Sequence, residues 1–247
     1  MHIAAIGGGD KEPILTPIIE TLDSCNAVII PTACSTEKSY AKKVPITQKW
    51  CGELGLRATV LHAFGEIPSE DKVAELFGQA SFAYVIGGNT PYMLDQLPRH
   101  KTNTAITGAV HRGMWLTGTS AGALLPFAAG LSCPAKRPAE ENWDYTYVSG
   151  LGLLPAAGSA HANKVDPHPS RPDQLTRLAH FAETLPQGQS IGFAIENDAA
   201  LVIDGTKTYV GRANPDARLH LVTHGEPIQD VRDNDYLTEV VASLYKK

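Results

Sequence analysis

Short apolar runs alternate along the first half of the chain with longer segments in which apolar residues recur at helical spacing. His2–Ile6, Ala27–Ile30, Arg57–Leu61, Phe82–Ile86 and Met114–Thr117 read as strands, and Pro13–Leu22, Ser39–Leu54, Asp71–Phe77 and Thr104–His111 as the helices between them. In Ser39–Leu54, Tyr40, Val44 and Trp50 fall at spacings that give a helix one buried face. This order predicts an α/β fold, a mostly parallel sheet between layers of helices.

Beyond Ser120 the alternation weakens. Residues 129–155 mix Gly, Pro and charged positions without a period, which reads as the main functional loop region. A helix over Pro172–Thr184, a strand over Ser190–Ile195, a hairpin of Ala199–Ile203 with Thr208–Val210 around Asp204-Gly205, and a closing helix over Asp235–Tyr245 complete the reading. No repeat, low-complexity tract or linker divides the chain, so all 247 residues are expected to form one domain.

Charge narrows the partners. There are 21 Lys and Arg against 26 Asp and Glu, a net of −5 with no basic cluster, so nucleic acid is not an expected partner. The apolar opening stops at Gly7-Gly8-Gly9-Asp10, too short for a membrane span and without the basic start of a signal peptide, and a cytoplasmic protein is expected. Cys25, Cys34, Cys51 and Cys133 form no C-x-x-C pair, which predicts reduced thiols and neither a disulfide framework nor a metal site.

The sharpest chemical signal is Trp115-Leu116-Thr117-Gly118-Thr119-Ser120-Ala121-Gly122-Ala123, a strand that runs into G-x-S-x-G and then into small, helix-compatible residues. A sharp strand-to-helix turn needs flanking glycines and lifts the serine hydroxyl clear of the sheet edge, and the following helix start supplies N–H donors and a positive dipole end. Tyr84-Val85-Ile86-Gly87-Gly88-Asn89-Thr90 ends a second apolar strand in a turn at the same edge. Its backbone N–H can meet that of Ala121 around one carbonyl oxygen, with Asn89 and Thr90 as candidate substrate contacts.

A serine nucleophile needs a base, and His161 in Gly158-Ser159-Ala160-His161-Ala162-Asn163 lies in the kind of strand-end loop where α/β folds gather reactive groups. His168 competes within the same loop; the other histidines fall in or beside regular elements. For the carboxylate that orients the imidazole, Glu196 at the end of Ile191–Ile195 is the first candidate, with Glu140, Glu141, Asp144 and Asp166 as alternatives. Arg171, at a helix start after His161, is a candidate partner for a substrate carboxylate.

Taken in order, Gly7-Gly8-Gly9, Ile30-Pro31-Thr32-Ala33, Tyr40, Leu54-Gly55, Gly87-Gly88-Asn89-Thr90, the Ser120 turn, His161 and Gly192–Asn197 resemble the peptidase E (aspartyl dipeptidase) and cyanophycinase family of serine peptidases. The resemblance implies a flavodoxin-like, class I glutamine amidotransferase-like sheet, Ser120 as nucleophile, His161 as base, and an oxyanion hole from the Gly88 and Ala121 amides. It also implies hydrolysis of a peptide bond close to a free amino terminus, Asp-X among the candidates, or of an isopeptide bond to an aspartate side chain; no cofactor is expected, and the protein is expected to be a monomer or homodimer. Arg171 and Arg177 match the Arg-rich helix start of aspartyl dipeptidases, with Gln174 where a further Arg is expected. The functional alternatives are an amidotransferase-like amidase, and a non-catalytic binder whose glycine turns cradle an anion.

Overall fold

The computed structural model describes residues 1–66, 68–132, 146–163, 181, 183–185 and 191–246. Five strands, β1 (His2–Ile6), β2 (Asn26–Ile30), β3 (Arg57–Val60), β4 (Phe82–Val85) and β5 (Trp115–Thr119), run parallel in one sheet. The hairpin β10 (Ala199–Asp204) and β11 (Lys207–Arg212) adds two antiparallel strands beside β1, giving the order β11-β10-β1-β5-β4-β2-β3. Parallel strands need crossovers, and α1 (Glu12–Ile19), α2 (Glu37–Glu53), α3 (Glu70–Gln79) and the pair α4 (Thr90–Gln96) and α5 (Thr102–His111) supply them.

Local sequence explains where these helices start. Thr36 accepts from Ser39 N to cap α2, and Ser69 accepts from Lys72 N to cap α3, whose first turn carries Glu70 and Asp71 at the positive dipole end. The central strands β1, β2 and β4 are apolar on both faces because both are covered. On one side Ala4, Ile6, Ile29, Tyr84 and Trp115 pack with Ile14, Leu15 and Ile18 of α1 and Val44, Trp50 and Cys51 of α2. On the other, Ile3, Ala5, Val28, Ile30, Val85 and Leu116 share a core with α3, α5 and the closing helix α7 (Asn234–Ser243).

That second core also includes Phe127, Leu154, Phe193, Ile195, Leu219 and Leu221, which belong to a second sheet. Its strands are β6 (Phe127–Ser132), β7 (Thr146–Ser149), β8 (Leu154–Ala160), β9 (Ile191–Ile195), β12 (Leu219–Thr223) and β13 (Gln229–Asp230), in the order β13-β12-β9-β8-β6-β7. The expectation of loop over 129–155 is corrected here: residues 127–132, 146–149 and 154–155 lie in strands, while 133–145 are outside the described residues. The α/β class and the mostly parallel first sheet stand as expected; the helix read over Pro172–Thr184 lies almost wholly outside the described residues.

The consequence for chemistry is positional. β1, β4 and β5 end side by side at Gly7, Ile86 and Ser120, and β8 and β9 of the second sheet, mutually parallel, end at His161 and Glu196. Backbone bonds close the seam between the two sheets: His161 N donates to Gly7 O at 3.2 Å, and Asp198 N donates to Gly8 O at 2.9 Å. Five strand ends therefore meet along one edge, where α/β folds present their reactive groups. Among the described residues no helix is long and apolar enough to cross a membrane.

Candidate active site

Ser120 leaves β5 with φ 58° and ψ −114°, the first central position of a type II′ turn, where glycine is the usual occupant. Ser120 N donates to Ile6 O at 3.0 Å, tying the residue to the end of β1. Gly118 and Gly122 make the turn possible, since a Cβ on Gly118 overlaps the Gly122 backbone and one on Gly122 overlaps Val85 O. The helix that follows, α6, spans only Ala121–Leu124 and stops ahead of Pro126. The expected macrodipole therefore shrinks to the individual N–H groups of one turn.

His161 faces this serine. It too has a left-handed backbone, φ 59°, which turns its ring from the end of β8 across the seam. Nε2 lies 2.7 Å from Ser120 Oγ, and Nδ1 lies 2.6 Å from Asn197 Oδ1. An amide oxygen only accepts, so Nδ1 carries the proton and donates to it; Nε2 then presents its lone pair to the serine hydroxyl. Asn197 is fixed in turn by its own N–H, which donates to Asn163 Oδ1 at 2.8 Å. Gly8 packs against the back of the pair, and a side chain there would occupy the space of Asn197 Oδ1 and the His161 ring.

Glu196 was the expected partner of His161, and the structure assigns its carboxylate elsewhere. Oε2 accepts from Arg218 N at 3.0 Å, and Oε1 pairs with His220 Nε2 at 3.0 Å, with both side chains more than nine-tenths buried. His220 Nδ1 reaches Asp230 Oδ1 at 2.7 Å, and Asp230 also pairs with Arg218. The physical reason is parity: successive residues at a strand end point to opposite sides. A carboxylate at 196 thus turns toward β12, and the amide at 197 turns toward the seam. Glu140, Glu141, Asp144, Asp166, His168 and Arg171 lie outside the described residues.

Tight packing presses the Gly87-Gly88 turn against the serine. A Cβ on Gly87 would approach Ser120 Cβ to 3.0 Å, and one on Gly88 would overlap Ala33 O. Among the described residues neither the Gly88 nor the Ala121 N–H has an acceptor in the backbone network. Asn89 and Thr90, the expected substrate contacts, stand at the start of α4: Asn89 Oδ1 accepts from Tyr92 N at 2.9 Å to cap the helix, and Thr90 is buried. The open cleft of about 380 Å³ beside Ser120 and His161 is lined instead by Lys42, Lys43, Ile46, Tyr84, Gly87 and Gly88, among others. Tyr84 shares a 2.8 Å hydroxyl bond with Thr119, and burial pushes its phenol far above the ordinary range.

Two of the thiols are poor rivals for the nucleophile. Burial raises Cys34 and pushes Cys51 up to about 12, so both are neutral at physiological pH. Among the described residues no group of His, Cys, Asp and Glu is arranged to hold a metal ion. Sequence reasoning missed Asn197 and Lys43. The signal for Asn197 was present, an amide one position from the chosen acid at a strand end.

Residues 3–210 match the sequence profile of peptidase family S51. The chain belongs to that family. This S51 chain is 29% identical over 151 residues to an uncharacterized peptidase of Listeria innocua serovar 6a, a match covering 59% of this chain and 71% of that protein. Its fold is similar to the crystal structure of a peptidase from an acI-B1 Actinobacterium, with TM-score 0.68, 21% identity and 93% of both chains covered. It is also similar to a putative peptidase E of Listeria monocytogenes EGD-e, with TM-score 0.62, 20% identity, and 86% of this chain and 98% of that one covered.

Proposed function

We propose that this S51 peptidase is a serine hydrolase that cleaves di- or short oligopeptides near the free amino terminus through an acyl-enzyme on Ser120. The observation that carries the reading is the relay Ser120 Oγ, His161 Nε2, His161 Nδ1, Asn197 Oδ1, with separations of 2.7 and 2.6 Å, behind a serine on strained backbone. Such a relay suits nucleophilic catalysis, and its neutral third member parallels the Cys-His-Asn arrangement of papain-like proteases.

In this mechanism Ser120 Oγ attacks the scissile carbonyl while its proton passes to His161 Nε2. The imidazolium that forms is held by Asn197 Oδ1. The developing oxyanion takes hydrogen bonds from the Gly88 and Ala121 N–H groups, and collapse expels the amine, which receives the proton from His161. Water, deprotonated by His161, then releases the acid and restores the serine. No cofactor enters these steps. The anion-cradle alternative fits less well, because Gly7 N donates to Ala199 O and Asp10 N to Asp198 Oδ1, which commits that turn to packing.

Labelling with a fluorophosphonate, followed by peptide mapping and paired with a dipeptide-library hydrolysis assay, tests the reading. The label is expected on Ser120, and Ser120→Ala is expected to lower kcat by about 10⁴ to 10⁶ with the fold unchanged. Unlabelled wild type, or an active Ser120→Ala protein, overturns it.

A further inference from the structure

Lys43 projects from α2 into the cleft beside Ser120, and its ammonium donates to the Gly87 carbonyl oxygen at 2.6 Å. That carbonyl and the Gly88 N–H are the two ends of a single peptide group. We propose that Lys43 is a positioning residue for the oxyanion hole: it fixes the plane of the Gly87–Gly88 peptide and polarises it so that the Gly88 N–H becomes a stronger donor. This rests on the serine-peptidase reading above.

Three further observations support the inference. The two Cα positions of the peptide are closely packed, against Thr119 and Ser120 at Gly87 and against Ala33 at Gly88, with Asn89 N on Ala33 O at 2.9 Å. Because the peptide is planar, a bond that fixes its carbonyl fixes the direction of its N–H as well, and Lys43 makes that bond. Second, among the described residues no carboxylate pairs with Lys43, so its charge acts on the peptide without being neutralised locally. Third, the base of the residue is fixed on α2, where the Thr47 hydroxyl donates to Lys43 O at 2.9 Å.

A charged donor on the carbonyl draws electron density toward oxygen and away from the amide nitrogen, and linked hydrogen bonds strengthen one another in this sense. The gain is realised when negative charge appears on the substrate oxygen, so the effect belongs to the transition state rather than to substrate binding. Deleting an oxyanion donor outright typically lowers kcat by about 10²- to 10³-fold. Weakening and misaiming one is expected to lower it by about 10- to 100-fold.

The test uses an uncharged alkyl fluorophosphonate, in which Ser120 Oγ displaces fluoride and the phosphoryl oxygen takes the oxyanion position. Lys43→Met is expected to slow Ser120 labelling by about 10- to 100-fold at unchanged melting temperature. The loss is expected on the high-pH plateau of the labelling rate, above the acid limb that reports His161, where the base is already neutral. Lys43→Arg, which restores a charged donor, is expected to recover most of the rate, and it keeps the test decisive if Met destabilises α2. Labelling of Lys43→Met at the wild-type rate overturns the inference while leaving the Ser120 mechanism intact. A loss confined to carboxylate-bearing peptides also overturns it, and makes Lys43 a substrate contact instead. Wild-type protein that takes no label on Ser120 removes the mechanism and this inference together.

Discussion

Replacing Asn197 tests the relay at its least familiar member. The 2.6 Å contact between His161 Nδ1 and Asn197 Oδ1 joins neutral groups in the resting enzyme, where such a bond contributes about 0.5 to 1.5 kcal/mol. When His161 becomes an imidazolium the same bond has a charged donor and contributes about 1.5 to 3 kcal/mol. Only the excess over the neutral bond, about 1 to 1.5 kcal/mol, separates the transition state from the resting enzyme, so Asn197→Ala is expected to lower kcat by about 5- to 10-fold, at roughly 1.4 kcal/mol per decade. Removing a carboxylate from a Ser-His-Asp triad lowers it by about 10⁴, so a defect of two decades or less is the mark of a neutral third member. Asn197→Asp works in the opposite direction. An added carboxylate favours the imidazolium, so neutral His161 forms at higher pH and the acid limb of kcat/KM moves up. Glu196→Gln is the control: it weakens the buried group around His220 and lowers the urea midpoint, while the acid limb stays where it is. The assay is initial-rate peptide hydrolysis across the pH range for all three variants, alongside urea unfolding. Asn197→Ala with kcat within twofold of wild type, or a displaced acid limb in Glu196→Gln, refutes the assignment.

Gly8→Ala places a methyl group where Asn197 Oδ1 and the His161 ring now sit, so kcat is expected to fall by more than about tenfold and the urea midpoint to drop. Equal values for both in variant and wild type would show that the seam has slack. The tyrosines predict alkaline behaviour. Tyr84 titrates far above its ordinary 10.0 when folded, so its contribution is complete below pH 10 and is lost as the unfolded chain ionises; by pH 11 the loss is about 1.4 kcal/mol. Unfolding free energies at pH 9 and 11 are expected to differ less in Tyr84→Phe than in wild type by about that amount, and identical differences would contradict it.

The first sheet was legible because its central strands are largely apolar and two of its crossover helices carry clear caps, at Thr36 and Ser69. Of the second sheet only β9 was read, as the strand over Ser190–Ile195. β6 reads Phe-Ala-Ala-Gly-Leu-Ser and β8 reads Leu-Pro-Ala-Ala-Gly-Ser-Ala, sequences of weak intrinsic strand preference. Those small residues are required by packing, since the ring of Phe127 fills the space a side chain on Gly158 would take. Tertiary context decided those strands. The site shows the same division. Ser120 and His161 were legible from strand-end position, whereas choosing between Glu196 and Asn197 needed the parity of β9, and a one-residue difference reverses it. Lys43 was not legible, because nothing in the sequence of α2 says that a carbonyl from another strand end lies within reach.

Ser120 and His161 share a property that has nothing to do with proton transfer: each holds an L side chain at positive φ, 58° and 59°. Backbone of this kind disfavours a folded chain by about 1 to 3 kcal/mol per residue, and a domain's whole margin is about 5 to 15 kcal/mol. Judged by stability alone, glycine is the better residue at 120. On the proposed mechanism, a lineage released from the need to cut peptides would therefore gain robustness by losing this serine, and its fold would survive the change. The serine here is a trait that only selection for chemistry can hold against the drift toward a sturdier, silent protein.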